Sequence, residues 1–283
     1  MRGSLGGELA MPALGMSSQL FVLFSTLIED ASGIAYGTND RDLLAGKITD
    51  HALELGYASM LDYYYKLRYD DPDGKEIRRL IEVLLVHETY FFRELQPLVQ
   101  LVDDHIANVV KQKGRARVWS AGCASGEEPF TLAMLLDDRG MLDKVEIIAT
   151  DISATVLARA EAGRHSRRAL RDNHPAELAA RYLEVSAQGV IVAPRIRNAV
   201  KFQRVNLIDA PAIAKLGMFD AILCRNVLIY FREAYVATVV ERLAAALAPG
   251  GLVAVGVSES LMRFGTSLTC EERGGCFFYR SAS

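Results

Sequence analysis

Two carboxylates set directly behind a glycine turn are the first residues in this chain with chemistry to offer. The stretch Val118-Trp119-Ser120-Ala121-Gly122-Cys123-Ala124-Ser125-Gly126-Glu127-Glu128-Pro129-Phe130 reads as a buried strand, a glycine turn and the start of a helix. A unit of this kind builds a nucleotide site, because glycine lets the backbone come close to a ligand. Its two glycines, Gly122 and Gly126, stand four apart and miss the G-x-G-x-x-G dinucleotide pattern. Glu127 and Glu128 fall where a pyrophosphate would meet the helix N-terminus, and they would repel it. They suit a ligand end that carries positive charge. S-adenosylmethionine, with an ammonium, a sulfonium and no phosphate, is such a ligand. Taken alone, the same residues also fit an ordinary strand-to-helix turn.

Three further stretches carry chemistry. In Ile147-Ile148-Ala149-Thr150-Asp151-Ile152 an acidic residue ends the next strand, 25 positions after Gly126. An Asp there can accept both hydroxyls of a ribose; the alternative is an N-cap for the following helix, and the spacing favours the ribose. Phe219-Asp220-Ala221-Ile222-Leu223-Cys224-Arg225-Asn226-Val227-Leu228-Ile229-Tyr230-Phe231 is an apolar strand that ends in polar residues and an aromatic pair. Ligands of open α/β sheets bind beyond the carboxyl ends of the strands, so Arg225, Asn226 and Tyr230 are expected at one crevice. Upstream, His87-Glu88-Thr89-Tyr90-Phe91-Phe92-Arg93-Glu94 sets aromatics beside an ion pair, which also fits an interdomain contact.

The elements that must position these residues follow from periodicity. Residues 17–110 show helical spacing without clear strands. From Val118 the pattern alternates, with strands expected at 117–121, 145–150, 219–224 and 251–257 and helices at 129–138, 153–162 and 233–248. Alternation implies a parallel sheet covered by helices. Residues 163–205 break it: Tyr182–Val185 and Val190–Ala193 flank a hairpin turn, a further strand runs over Val200–Arg204, and the whole reads as an antiparallel insertion. The expected fold is thus α/β, with an all-α N-terminal domain over 17–95, a linker helix over 96–116 and a Rossmann-like domain over 117–283, which the resemblance given below makes an S-adenosylmethionine-dependent methyltransferase domain. A small antiparallel β-subdomain occupies about 180–205.

The four blocks occur in one order: Thr89-x-Phe91-Phe92-Arg93-Glu94, Ser125-Gly126-Glu127-Glu128-Pro129, Ala149-Thr150-Asp151-Ile152 and Cys224-Arg225-Asn226-Val227-x-Ile229-Tyr230-Phe231, with Ser258-Glu259-Ser260 after a late strand. In this the chain resembles the chemotaxis receptor glutamate O-methyltransferases, the CheR-type family, over about residues 17–280. The resemblance implies transfer of methyl from S-adenosylmethionine to receptor glutamates, with S-adenosylhomocysteine as product. It implies that Thr89 and Arg93 reach the methionine end of the cofactor, with His87 at a first polar contact. Gly122 forms the turn, Glu127 lies near the amino group and Asp151 takes the ribose hydroxyls. Asn206 and Leu207 border the adenine, and Asn226 and Val227 line the adenosyl region. Arg93 and Tyr230 are the catalytic candidates, the first orienting the incoming carboxylate, the second fixing methyl or carboxylate.

Two departures stand out. His87 occupies a position where many members have Asn. The basic N-terminal helix of the family is weak here, with Arg41, Lys47 and His51 set against Asp40, Asp42, Asp50 and Glu54. Receptor docking is therefore expected on other surfaces, such as Arg164, Arg167, Arg168 and Arg171. His51, His105, His165 and His174 lack metal spacing and read as surface or helix residues; Cys123 and Cys224 read as small apolar residues in tight turns.

Bulk properties bound the reading. A net charge of −3 argues against a general nucleic-acid binder. A base N-methyltransferase would carry Pro-Pro where this chain has Asn226-Val227-Leu228-Ile229. No apolar run reaches the ~18 residues of a membrane span, and the first 13 residues lack a signal-peptide core. The four cysteines show no C-x-x-C pairing, so no metal site is expected. The expected protein is cytoplasmic, is not inserted in the membrane, and has the cytoplasmic domain of methyl-accepting chemoreceptors as its partner. The competing readings are a methyltransferase for another substrate and a regulator that binds S-adenosylmethionine without transfer.

Overall fold

The computed structural model describes residues 15–282, so the reading of residues 1–13 lies outside the described residues. The chain forms two compact units, one running to Leu84 and a larger one from Leu85 onward that also takes in Ser32–Ile34.

The smaller unit is helical: Ser18–Ser32, Arg41–Glu54, Met60–Tyr69 and Lys75–Leu84. Their apolar stripes close on one core, with Phe24, Ile28, Leu44, Ile48, Tyr63 and Leu80 fully buried. Ser59 caps its helix by accepting the Asp62 N–H at 3.3 Å. Glu76 is buried but satisfied, taking the Tyr63 hydroxyl and pairing with His51, each at 3.1 Å.

The larger unit contains the strands β1 (Ala116–Ala121), β2 (Val145–Asp151), β3 (Arg164–His165), β4 (Leu183–Ser186), β5 (Gly189–Val192), β6 (Val200–Arg204), β7 (Phe219–Cys224), β8 (Leu247–Val255), β9 (Thr269–Arg273) and β10 (Cys276–Arg280). Seven of them form one sheet in the order β6-β2-β1-β7-β8-β10-β9. Strands β6 to β8 of that order run parallel, and β10 pairs antiparallel with both β8 and β9. The long helices Glu127–Asp138, Ala154–Ala162 and Glu233–Ala245 belong to this sheet. Apolar residues of successive strand positions fall into two clusters, Val118, Ile147 and Leu223 in one, Trp119, Ile148 and Ile222 in the other. A strand buried on both faces needs no alternation, which is why β1 and β7 read as continuous apolar runs.

The α/β expectation holds, with one correction. Val200–Arg204 is not part of the antiparallel insertion: it pairs in parallel with β2, from Ile147↔Val200 to Asp151↔Arg204. The insertion is instead a separate three-stranded sheet, β3-β5-β4. The chain leaves β2, builds that sheet and returns as β6, so a parallel crossover encloses an antiparallel element. The chain order reverses between β1 and β7, and in an open parallel sheet that switch point is where a crevice opens at the carboxyl ends of the strands. Among the described residues no helix is long and apolar enough to cross a membrane.

Candidate active site

The loop after β1 is fastened to the end of β2. The N–H groups of Gly122 and Cys123 both donate to the Thr150 carbonyl, at 2.8 and 2.9 Å, and the Trp119 indole N–H donates to the Thr150 hydroxyl at 2.9 Å. Gly122 has φ +77°, and a Cβ there would stand 2.6 Å from Val227 Cγ2. Glycine is required on both counts, conformation and space. The contact also brings two predicted site residues, Gly122 and Val227, against each other.

Asp151 ends β2. Its carboxylate accepts the Ala124 N–H and the Ser153 N–H, each at 2.9 Å. Ser153, not Asp151, caps the next helix, by accepting the Val156 N–H at 3.2 Å. The capping alternative for Asp151 is therefore removed. These two backbone bonds fix its orientation. Val205 N–H donates to the Asp151 carbonyl at 3.0 Å, which brings Asn206 and Leu207 beside the same strand end. Asn206 turns its side-chain oxygen to the Ile208 N–H at 3.1 Å, and Leu207 is buried.

The two glutamates part ways. Glu128 accepts the Ser120 hydroxyl at 2.7 Å and pairs with Arg225 Nη1 at 3.0 Å. Burial pushes its carboxyl up, and Arg225 opposes that only in part. Glu127 takes the Ser125 hydroxyl on both oxygens, at 3.0 and 2.8 Å, and pairs with His165 Nδ1 at 3.0 Å. His165 is thus not a surface histidine: its ring is enclosed beside Phe91 and Phe130. His105 is buried too, bonded to the Asp220 carbonyl at 2.8 Å.

Arg225 does not line an open crevice as the strand-end argument expects. Its guanidinium is 1% exposed. It donates through Nη2 to the Arg93 carbonyl at 2.8 Å and to the Glu94 carbonyl and carboxylate, both at 3.1 Å. It is a clamp that joins the 93–94 segment, the first turn of the Glu127–Asp138 helix and the end of β7. Burial raises the Glu94 carboxyl, but Arg225 and hydrogen bonds from Val257 and Asn226 outweigh it, and the net direction is down.

Two residues outside the expected set complete the frame. Glu94, at φ +45°, accepts Asn226 Nδ2 at 3.3 Å and the Val257 N–H at 3.1 Å. Glu259, from Ser258-Glu259-Ser260, accepts the N–H groups of Asn226 and Gly256 at 2.7 Å and of Ile229 at 3.3 Å. It holds Asn226 in the left-handed region, at φ +58°. The Ser-Glu-Ser step was the signal for Glu259; Glu94 had only its place beside Arg93.

The Arg93 side chain donates from Nη1 to the Glu88 carbonyl at 3.0 Å, and its guanidinium carbon lies 5.6 Å from the Tyr90 ring centre. It has no carboxylate partner among the described residues. Tyr230 is half-buried; burial raises its phenol above the ordinary range, the Arg93 cation opposes the rise, and Glu88 and Glu259 add to it. His87 and Thr89 lie half-buried on the segment leading to Arg93. That segment is pinned by Phe91 N–H to the Ala169 carbonyl at 2.8 Å and by Phe92 N–H to the Thr131 hydroxyl at 3.1 Å. Cys123 and Cys224 are buried, and burial pushes both thiols well up, which leaves them no nucleophilic role.

The donor set fits S-adenosylmethionine. A left-handed glycine bend admits close backbone approach, a fixed carboxylate at the end of β2 suits a vicinal diol, and an anionic side chain at the helix start suits an ammonium. Arg225, which is bonded into this helix start, is already committed to the carboxylates of Glu94 and Glu128.

The chain matches the family model described as CheR methyltransferase, SAM binding domain, over residues 87–273. It is 32% identical over 250 residues to Chemotaxis protein methyltransferase 1 of Pseudomonas aeruginosa, covering 85% of this chain and 90% of that one. It is 33% identical to Chemotaxis protein methyltransferase 2 of Vibrio cholerae, covering 86% of each. To Chemotaxis protein methyltransferase of Escherichia coli it is 31% identical over 87% of this chain and 86% of that one.

Proposed function

The chain belongs to the CheR methyltransferase family, and from that premise we propose that it methylates glutamate carboxylates of chemoreceptors, giving glutamate methyl esters. Its substrate surface is then the cytoplasmic domain of a methyl-accepting receptor, and it acts in the cytoplasm. Bound S-adenosylmethionine supplies an electrophilic methyl group and departs as S-adenosylhomocysteine. Everything else falls to the protein.

The observation that carries the reading is the contrast between two arginines. Arg225 commits both terminal nitrogens to carboxylates and carbonyls, whereas Arg93, on the neighbouring segment, holds no carboxylate among the described residues. Its planar donor fork matches the two oxygens of an incoming carboxylate. A free glutamate has a pKa near ~4.3, so it arrives ionised and nucleophilic without a general base. The work left to the site is alignment, and holding two reactants in line is worth on the order of 7–11 kcal/mol. Arg93 orients the carboxylate and Tyr230 fixes the methyl or the carboxylate through its phenol. In the same reading Asp151 holds the ribose hydroxyls, Glu127 the ammonium, Asn206 and Leu207 the adenine edge, and Gly122, Asn226 and Val227 the adenosyl wall, with His87 and Thr89 at the methionine end. Nothing in the family match favours a non-catalytic regulator.

The test uses a purified receptor cytoplasmic fragment and methyl-labelled S-adenosylmethionine. Label should appear on the fragment and vanish when its accepting glutamates are replaced by alanine. Arg93→Ala should lower kcat by about 10²-fold or more while S-adenosylhomocysteine still binds. Full turnover in a folded Arg93→Ala protein would remove the orienting role.

A further inference from the structure

Glu127 and Glu128 are adjacent and similarly enclosed, yet the protein treats them oppositely. Glu128 meets a permanent cation, Arg225, at 3.0 Å. Glu127 meets His165, with side-chain exposures of 4% and 2%. The ring of His165 is fixed from several sides. Phe91 and Phe130 stand edge-on to it, with ring centres 4.9 and 5.9 Å away at 76° and 86°. Its backbone lies on β3, paired with Val190 of β5. The glycine that opens β5, Gly189 at φ +145°, gives that backbone room: a Cβ there would stand 2.3 Å from the His165 carbonyl oxygen.

The hydrogen-bond pattern assigns the proton. Nδ1 faces Glu127 Oε1 at 3.0 Å and must donate, because a carboxylate only accepts. Nε2 is buried and has no hydrogen-bond partner among the described residues. A protonated ring would leave that second N–H without an acceptor, whereas the neutral ring with hydrogen on Nδ1 buries only a lone pair. A neutral donor orients a carboxylate without cancelling its charge. A buried carboxylate that keeps its charge calls for a cation from outside the chain.

We propose that His165 is a positioning residue that presents Glu127, still anionic, to the ammonium of the bound ligand, and so selects ligands that carry the amino-acid tail. The proposal rests on the reading that Glu127 holds that ammonium. It gives the small antiparallel sheet a direct part in cofactor recognition, through one side chain of its edge strand.

Two probes separate the proposal from a general structural role. S-adenosylhomocysteine carries the amino-acid tail; 5′-methylthioadenosine has the same adenosyl thioether without it. Calorimetry on the full chain should show His165→Phe weakening S-adenosylhomocysteine by about tenfold, the worth of one hydrogen bond to a charged group. Affinity for 5′-methylthioadenosine should stay within about twofold. His165→Asn, whose amide nitrogen falls near the position of Nδ1, should restore most of the loss. If His165→Phe does not fold, His165→Gln serves, since its amide nitrogen falls at the Nε2 end of the ring, away from Glu127. Equal weakening of both ligands, or no weakening of either, overturns the proposal. Glu127→Gln tells the two failures apart. If it too leaves S-adenosylhomocysteine unaffected, the ammonium assignment itself is wrong. If it weakens that ligand alone while His165→Phe changes nothing, only the role of His165 falls.

Discussion

Replacing Arg225 by methionine keeps an unbranched apolar stem and removes a cation that two carboxylates share. The guanidinium is 1% exposed, and its partners Glu128 and Glu94 have side-chain exposures of 14% and 23%, at 3.0 and 3.1 Å. Removing one member of a buried pair costs about 3–5 kcal/mol, because the remaining charge stays buried without compensation. Two losses pull the figure down: Nε has no partner even in the intact protein, and water reaches part of Glu94. Two backbone carbonyls, of Arg93 and Glu94, lose their donor and push the figure up. The expected loss stays near about 3–5 kcal/mol, or roughly 6–20 °C in Tm for a unit of this size. The single tryptophan, Trp119, is fully buried in β1, so its fluorescence in urea reports the larger unit. The loss should shrink toward acid pH. Burial already raises the Glu128 carboxyl, and without Arg225 it rises further. A folded state that binds the proton more readily than the unfolded one gains stability as pH falls. Arg225→Met with Glu128→Gln should recover about 0.5–3 kcal/mol over the sum of the single changes. A loss under about 1 kcal/mol, or one that does not vary with pH, would refute the clamp.

Asp151→Asn sets an amide NH₂ against one of two backbone N–H donors; it should cost about 1–3 kcal/mol in urea unfolding and weaken S-adenosylhomocysteine in calorimetry by at least about tenfold. Gly122→Ala combines a positive φ with a 2.6 Å approach to Val227. It should destabilise by about 1–2 kcal/mol from conformation alone, and Val227→Ala in the same chain should relieve the contact but not the strain. In the wild type the Glu94 carboxyl lies below its ordinary range, despite burial, because Arg225 and its hydrogen bonds outweigh it. Its contribution is present above the unfolded carboxylate pKa and is lost as pH falls through the folded one. Melting scans should therefore show a drop between about pH 5 and 3 that Glu94→Gln flattens.

The larger part of the frame could be read from residues. A buried strand, a glycine turn and an acidic strand end are local patterns, and β1, β2 and β7 appear where those patterns occur. The strand Val200–Arg204 was legible but its partner was not: periodicity gives a strand's existence, while its direction depends on what it pairs with after a long crossover. The β9–β10 hairpin was missed although Gly274-Gly275, at φ +55° and +78°, is the dipeptide that a tight hairpin turn demands. Within the site, charge type was readable and commitment was not. Nothing local says that Arg225 turns inward to Glu94, more than a hundred positions away, or that His165 reaches Glu127. Both pairings join segments far apart in sequence, which only the folded chain brings together.

The central claim is the chemical class of the product. After transfer of labelled methyl to a receptor fragment, mild alkali should release the label as methanol, because a carboxyl methyl ester hydrolyses where an N-methyl group does not. Label that withstands alkali, or that leaves the protein fraction on nuclease treatment, would contradict the account at its core while leaving the fold untouched.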